Sequence, residues 1–362
     1  MLDNHKNNQH QRLLHLDLLR LIAIFLVVFN HTGDRGYMLF ANSTGSLLYF
    51  PYMMFSVFCK IAVPIFFMIS GALLLPKQES LKQLFSKRIL RMIVVLVLIS
   101  VPYYYWLHRS QGIGALSFFT YIYGQSASTA LWYLYSYVSL LLMMPFLRNM
   151  VTSMKQKDFI YLFVGHIVLV GILPCLEYCL WQGNTTIHES FSPVIFLSQN
   201  FFFALTGYYL EHVLGERHYN KKTIFFSVLL SVTAILVTCL MTYYQTLVMG
   251  TCSTEQLESF FNCFICIPAM SVYVFVRFLG EKIKRERTKK VLSILGAGVF
   301  GVYLIEKFVR ALTSGVYTLL SPFVGSFAAA LVWCLATVCL GVAIVLPLKH
   351  IPFVKSIVNK FI

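Results

Sequence analysis

Residues 223–247 read TIFFSVLLSVTAILVTCLMTYYQTL and contain no charged side chain. A bilayer has a hydrocarbon core about 30 Å thick, and a helix needs about 20 apolar residues to cross it. The rest of the chain has the same character: of 362 residues, 58% are hydrophobic and 12% are charged. Soluble domains carry about 25% charged residues. The composition therefore excludes a soluble enzyme, a secreted disulfide-linked domain and a disordered chain, and it predicts an all-α, polytopic integral membrane protein.

Ten apolar segments, each bounded by polar residues, are candidates for membrane spans. They lie at roughly 14–32, 47–75, 87–107, 131–148, 158–175, 191–211, 223–247, 259–279, 291–319 and 323–348. Pro64 is expected to break the second segment, because proline lacks a backbone donor and clashes with the preceding helical turn. An aromatic segment at 115–123 is too short to cross and is expected to lie at the interface or to re-enter. We predict a single transmembrane domain over residues 1–362.

The distribution of lysine and arginine predicts the orientation of these spans. With the N-terminus inside, 23 of the 29 cations fall in cytoplasmic segments, whereas only Arg35 and Arg109 fall in external ones. Because lysine and arginine concentrate on the cytoplasmic side, both tails, 1–13 and 349–362, are predicted to be cytoplasmic. This distribution also accounts for the net charge of +15 without a nucleic-acid partner.

The cysteines predict neither a disulfide framework nor a metal centre. There are nine, an odd number, and most lie inside apolar segments. Cys263 and Cys266 form a CxxC pair in a hydrophobic segment, but no second pair follows at the spacing of a zinc site. We therefore expect the cysteines to be packed as free thiols and to bind no metal.

The first apolar segment contains ionisable side chains, which are costly inside a membrane and therefore mark functional sites. Arg20 and His31 are eleven residues apart, which returns them to within about 20° of the same helix face and separates them by about 16 Å along the axis. Asp17 is placed to pair with Arg20 at i,i+3. In the alternative interpretation, Arg20 only extends to cytoplasmic headgroups and His31 only ends the helix.

Five short motifs make the chain resemble the membrane acyltransferase-3 family along nearly its whole length. They are Arg20 with His31, Phe66-Phe67-Met68-Ile69-Ser70-Gly71, Arg88-Ile89-Leu90-Arg91, Leu131-Trp132-Tyr133-Leu134 and Phe300-Gly301-Val302-Tyr303-Leu304-Ile305. The chain departs from the common family pattern at Ala130 and Glu306, where many members have histidine. The resemblance implies ten spans and the O-acylation, usually O-acetylation, of envelope polysaccharides.

Acyl transfer from a thioester to a hydroxyl needs a general base and stabilisation of the oxyanion. His31 is the expected base, because imidazole titrates near neutral pH. The resemblance implies acetyl-CoA as a co-substrate, with no permanently bound cofactor. Arg88 and Arg91 would hold its phosphates, with Arg20 deeper in the core, although the same two arginines also fit a topology signal alone.

The remaining candidate residues are assigned to the acceptor or to packing. Asn30, Ser70 and Tyr303 are candidate hydrogen-bond donors. Glu306 and Arg310 form either a structural ion pair or an acceptor-side carboxylate with its partner. Lys60 either lines the acceptor entrance or extends to the headgroups, and Trp132 and Tyr133 form either an interfacial aromatic belt or a sugar platform.

The preferred hypothesis is a multi-pass O-acetyltransferase in a bacterial plasma membrane. Its expected acceptor is a hydroxyl of a capsular or cell-envelope polysaccharide or of a lipid-linked glycan, and its expected partners are membrane lipids and polysaccharide-biosynthesis proteins. The alternative is a transporter for a small polar solute such as serine, which would use the same embedded charges. Transporters often contain repeats, and none is visible here. A component of the polysaccharide-export machinery is the third possibility.

Overall fold

The computed structural model describes residues 13–109, 114–250 and 252–348, so the predicted tails lie almost wholly outside the described residues. Over these ranges the chain forms helices and no strand, which confirms the all-α prediction. Apolar segments become helices in a bilayer because every backbone polar group must find its partner within the segment. In chain order, the α-helices are α1 Leu14–Asn30, α2 Tyr49–Cys59, α3 Ala62–Leu74, α4 Leu81–Leu84, α5 Leu90–His108, α6 Ala115–Gly124, α7 Trp132–Ser153, α8 Gln156–His166, α9 Leu173–Trp181, α10 Val194–Leu197, α11 Gln199–Tyr208, α12 Lys221–Met249, α13 Thr254–Leu257, α14 Cys266–Lys282, α15 Glu286–Leu312, α16 Ser314–Val324 and α17 Ser326–Leu348.

Six helical segments among the described residues are long and apolar enough to cross a membrane. They are Tyr49–Leu74, Thr129–Ser153, Gln156–Trp181, Lys221–Met249, Glu286–Leu312 and Ser326–Leu348. Helices also occupy the other four predicted segments, as α1, α5, α11 and α14. The membrane-protein class is therefore confirmed, while the count of ten spans and the orientation of the termini stay predictions.

The second apolar segment is interrupted, as its proline predicts. α2 ends at Cys59 and α3 begins at Ala62, which leaves Lys60 and Ile61 between two helical halves. Pro64 lies in the first turn of α3, where its missing N–H costs no intrahelical hydrogen bond. The short segment predicted at 115–123 is helix α6.

Three helices contain a π-helical segment, which adds a residue to the turn and re-aims the side chains around it. These segments are Phe85–Ile89, before α5; Ile167–Ile172, between α8 and α9; and Tyr209–Val213, after α11. Single π turns occur often at functional sites. The first of them contains Arg88, one of the predicted donor residues.

Helix α1 lies at the centre of the bundle. It packs against α3, α14, α15 and α17, so its ionisable side chains are surrounded by protein and not by lipid. Asp17 is fully buried. Gly296 of α15 makes room for it, since a methyl group on that glycine would lie 2.6 Å from the Asp17 Oδ1 atom.

Helices α3 and α11 make the most extensive contact, and two glycines allow it. A methyl group on Gly71 would lie 1.8 Å from the carbonyl oxygen of Ala204, and one on Gly207 would lie 1.9 Å from that of Met68. Small residues let membrane helices approach until their backbones touch. The close contact fixes the face of α3 that carries Ser70.

Candidate active site

One cavity of about 960 Å³ is lined by residues from both ends of the bundle. This volume lies at the upper end of the range typical of small-molecule and cofactor sites, about 300–1,000 Å³. Ten of the twelve residues predicted as site residues line it: Arg20, Asn30, His31, Lys60, Ser70, Arg88, Arg91, Trp132, Tyr133 and Tyr303. Glu306 and Arg310 are not among the lining residues. The motif residues therefore converge on a single space.

Helix α1 supplies the long wall of the cavity. Arg20 and His31 both line it, as their shared helix face predicts, and Val27 and Asn30 line it as well. The guanidinium of Arg20 donates to Asp17 Oδ1 over 2.6 Å, which confirms the predicted i,i+3 pair. Because Asp17 is buried, this pair holds Arg20 in place against the cavity.

His31 is held by a buried carboxylate from another helix. Its Nδ1 atom lies 3.1 Å from Oε2 of Glu306 in α15. The other carboxylate oxygen of Glu306 accepts from Arg310 Nε over 2.6 Å, and the Glu306 residue is 0% exposed. When Nδ1 donates to the carboxylate, Nε2 keeps a free lone pair, which is the arrangement that a carboxylate gives to a histidine base. The predicted i,i+4 pair of Glu306 and Arg310 is present, and its contact with His31 was not predicted.

The three predicted hydrogen-bond donors bond to backbone carbonyls. Asn30 Nδ2 donates to Cys59 O over 3.0 Å, and Ser70 Oγ donates to Phe66 O over 2.8 Å. The Tyr303 hydroxyl donates to the carbonyl of Ala130. These bonds tie the cavity wall together at the end of α1, within α3, and between α15 and the start of α7.

At one end of the cavity a glutamate lies between two arginines. Arg88 Nη2 lies 2.5 Å from Glu79 Oε1, and Arg88 Nε lies 2.9 Å from Oε2. Arg148 Nη2 donates to the same Oε2 over 3.0 Å and also bonds to Leu74 O. Hydrogen bonds from Arg88 and Arg148 lower the pKa of Glu79 to about 2. We call this end, lined by Lys77, Glu79, Lys87, Arg88 and Arg91, the cationic mouth.

Sequence reasoning missed several residues of the site. Glu79 lies in a polar loop, and Arg148 is one of the 23 cations that the topology prediction assigns to cytoplasmic segments. Glu258 and Tyr37, which line the other end of the cavity, stand just outside predicted spans. No local motif marks these residues, because they reach the cavity only through the packing of distant segments.

The family model of an acyltransferase domain, Acyl_transf_3, matches residues 13–346. The chain belongs to the acyltransferase-3 family. Neither the curated proteins nor the solved structures include a match to it. Family membership indicates a membrane acyltransferase and does not favour the transporter hypothesis.

Within this acyltransferase-3 chain, both departures from the common motifs lie beside the site. Ala130 is buried, lines the cavity and accepts the hydrogen bond from Tyr303 through its carbonyl. Glu306 is the carboxylate that contacts His31. His31 is thus the histidine of the family motif that faces the cavity, and a neighbouring helix supplies its carboxylate partner.

Proposed function

We propose that this acyltransferase moves an acetyl group from acetyl-CoA to a hydroxyl of a cell-envelope or capsular glycan. The observation that carries the proposal is the single cavity that joins the cationic mouth to the His31–Glu306 pair. A donor with several phosphates fits the mouth, because its four cationic side chains outnumber its one carboxylate and charge-assisted hydrogen bonds favour phosphate. Its thioester arm then extends along α1 towards His31.

In the proposed reaction, His31 Nε2 takes the proton of the acceptor hydroxyl as its oxygen attacks the thioester carbon. The tetrahedral intermediate collapses with cleavage of the carbon–sulfur bond, and the imidazolium returns the proton to the leaving thiolate. The products are the acetyl ester and free coenzyme A. Glu306 is a positioning residue: it orients His31 and stabilises the imidazolium that forms.

The proposed setting is a bacterial plasma membrane, with the donor entering from the cytoplasm and the acceptor from outside. A polysaccharide or a lipid-linked glycan fits this arrangement as the acceptor. Polysaccharide-biosynthesis proteins would supply that acceptor. Trp132, 46% exposed beside the cavity, and buried Tyr133 offer aromatic faces to a sugar.

The test is a transfer assay with purified protein in lipid nanodiscs. Acetyl-CoA labelled in the acetyl group is supplied with a glycan acceptor, and both the release of coenzyme A and the label in the glycan are measured. We expect both to rise together. If no thioester is consumed, and proteoliposomes instead accumulate labelled serine, the transporter hypothesis replaces this one.

A further inference from the structure

The break between α2 and α3 lies at the cavity, close to His31. Lys60, within the break, lines the cavity, and Asn30, which precedes His31, donates to the carbonyl of Cys59 over 3.0 Å. Irregular backbone at membrane depth is tolerated where it is buried in protein or lines a water-filled space, and broken helices often form substrate sites. The break therefore places polar backbone and Lys60 beside the proposed base.

An ion pair bridges this end of the cavity. Lys60 Nζ lies 2.6 Å from Glu258 Oε2, and it also lies 5.2 Å from the ring centre of Tyr37. Both charged side chains are about a quarter exposed, at 23% and 27%. Since the two charges compensate each other, the pair adds no net charge to the space it lines.

Two buried polar atoms beside this pair have no hydrogen-bond partner among the described residues. They are the hydroxyl of Tyr37, a residue only 3% exposed, and the side-chain oxygen of Asn30. The Tyr37 hydroxyl is near enough to Glu258 to interact with its carboxylate electrostatically, but it forms no hydrogen bond that meets the geometric criteria. Leaving a buried polar group unsatisfied costs free energy, so such groups indicate a ligand or ordered water.

We propose that these residues form the acceptor site, and that the Lys60–Glu258 pair selects neutral, hydroxyl-rich acceptors over anionic ones. We call the site, lined by Asn30, Tyr37, Lys60, Glu258 and Asn262, the outer chamber. This inference rests on the proposed function, which gives the reaction. The proposed function assigns no role to Tyr37 or Glu258 and predicts no preference for the charge of the acceptor.

The chemistry of the outer chamber matches that of a sugar. Each sugar hydroxyl both donates and accepts, and the chamber offers an amide oxygen, a phenol, an ammonium and a carboxylate. An anionic acceptor would meet the Glu258 carboxylate or would have to separate it from Lys60. Breaking a partly buried ion pair leaves an uncompensated charge, so that acceptor binds less tightly.

The experiment compares Glu258→Gln with Glu255→Gln in nanodiscs. Glu255 is exposed, lies one turn earlier and does not line the cavity, so it is a matched control. The binding probes are labelled maltopentaose, which is neutral, and a labelled pentagalacturonate, which is anionic; coenzyme A binding is measured in parallel.

We expect the wild type and Glu255→Gln to prefer the neutral probe by roughly tenfold, a difference of about 1.4 kcal/mol. Glu258→Gln should lose most of that preference, because Lys60 is then left without its counter-charge, and its coenzyme A affinity should not change. The proposal would be overturned if Glu258→Gln and Glu255→Gln preferred the neutral probe to the same degree. It would also be overturned if the wild type preferred the anionic probe.

Tyr37→Phe provides a second variant should Glu258→Gln fail to give monodisperse protein. It removes only the hydroxyl, and we expect a severalfold weaker affinity for maltopentaose with coenzyme A binding unchanged. An unchanged affinity for maltopentaose would remove Tyr37 from the site. Because these readouts measure binding, a protein that shows the expected preferences but transfers no acetyl group contradicts the proposed function and leaves the acceptor site standing.

Discussion

At the residue scale, the contact between His31 and Glu306 is the feature on which the proposed chemistry depends. The two side chains are 275 positions apart in the sequence and 3.1 Å apart in the structure. Glu306 is buried between His31 and Arg310 and is not on the cavity wall. A carboxylate in this position orients the imidazole of a histidine base. The geometry therefore supports His31 as the base and Glu306 as the group that orients it.

We expect His31→Ala to abolish acyl transfer while the protein still inserts and folds. Loss of a general base costs about two to four orders of magnitude, or about 3–5 kcal/mol of barrier. Product formation is measured with monodisperse protein, and His188→Ala, at an exposed loop position, is the control. A folded His31→Ala protein that keeps more than about a tenth of wild-type activity would show that His31 is not the base.

Glu79 gives a pH-dependent prediction at the same scale. Its pKa is about 2 in the folded protein, against about 4.3 for an ordinary glutamate. A lowered pKa means that its ionised form stabilises the folded state above about pH 4.3, and this contribution is lost as the pH falls towards 2. We expect the Tm of Glu79→Gln to lie below that of the wild type at pH 6 and the gap to narrow as the pH falls towards 3.

The matched control for Glu79 is Glu286→Gln. Glu286 is 83% exposed and pairs with Lys289 on the surface, where an ion pair contributes little. Its Tm should follow the wild type at both pH values. A gap between Glu79→Gln and the wild type that stays constant or widens as the pH falls would contradict the assignment of the low pKa.

The sequence predicted most of the cationic and histidine side chains of the site, but it did not predict most of the carboxylates that pair with them. Arg20, His31 and Arg88 stand out because charges are costly within or beside apolar segments. Glu79 and Glu258 lie in polar loops, where a carboxylate is unremarkable. Only the folded chain shows that each pairs with a cation on the cavity wall. Long-range pairing of this kind is not encoded in local spacing.

At the element scale, the contact between α3 and α11 explains why a glycine follows Ser70 in the second motif. We expect Gly207→Ala to destabilise the protein strongly, because its methyl group would lie 1.9 Å from the backbone oxygen of Met68. Overpacking a core costs typically about 1–3 kcal/mol, and a backbone neighbour cannot rotate away. Thermal unfolding in nanodiscs measures the effect.

Gly315→Ala is the control for this packing prediction. Gly315 is also helical, in α16, but a methyl group there meets nothing within 4 Å. Alanine favours a helix over glycine by about 1 kcal/mol, so we expect a Tm equal to or above that of the wild type. If both variants lower the Tm equally, close backbone contact does not hold α3 and α11 together.

Helix positions were predictable from hydrophobicity, whereas the details within helices were not. All ten predicted apolar segments contain helix, and Pro64 marked the interruption of the second. The π-helical segment at Phe85–Ile89 left no recognisable signal.

At the scale of the whole molecule, the contacts agree with the predicted sidedness. At the cationic mouth, Glu79 pairs with Arg88 and with the neighbouring Arg148, and all three belong to segments assigned to the cytoplasm by charge. Lys60 and Glu258 meet at the other end, in segments assigned to the outside or near it. The two groups of ion pairs therefore lie at opposite ends of the cavity, as the topology prediction requires.

We expect cysteines introduced as Gln78→Cys and Lys284→Cys to react with an impermeant maleimide only from the cytoplasmic face. The reason is the concentration of 23 cations on that side of the predicted topology. Thr44→Cys, in a predicted external loop, is the control with the opposite outcome, in a background whose accessible native thiols have been blocked. Labelling of Lys284→Cys from outside would overturn the count of ten spans.

The single cavity also has an electrical consequence. A membrane potential of 100 mV lowers the free energy of an elementary charge that crosses the membrane by about 2.3 kcal/mol. A water-filled passage between the two faces would therefore let ions leak and dissipate the potential. Along α1 the wall passes from Arg20 through apolar Val27 to Asn30 and His31. Fixed positive charge at the mouth repels small cations. The charge that would attract the proposed polyanionic donor to the mouth is thus also a barrier to the entry of metal ions from that side.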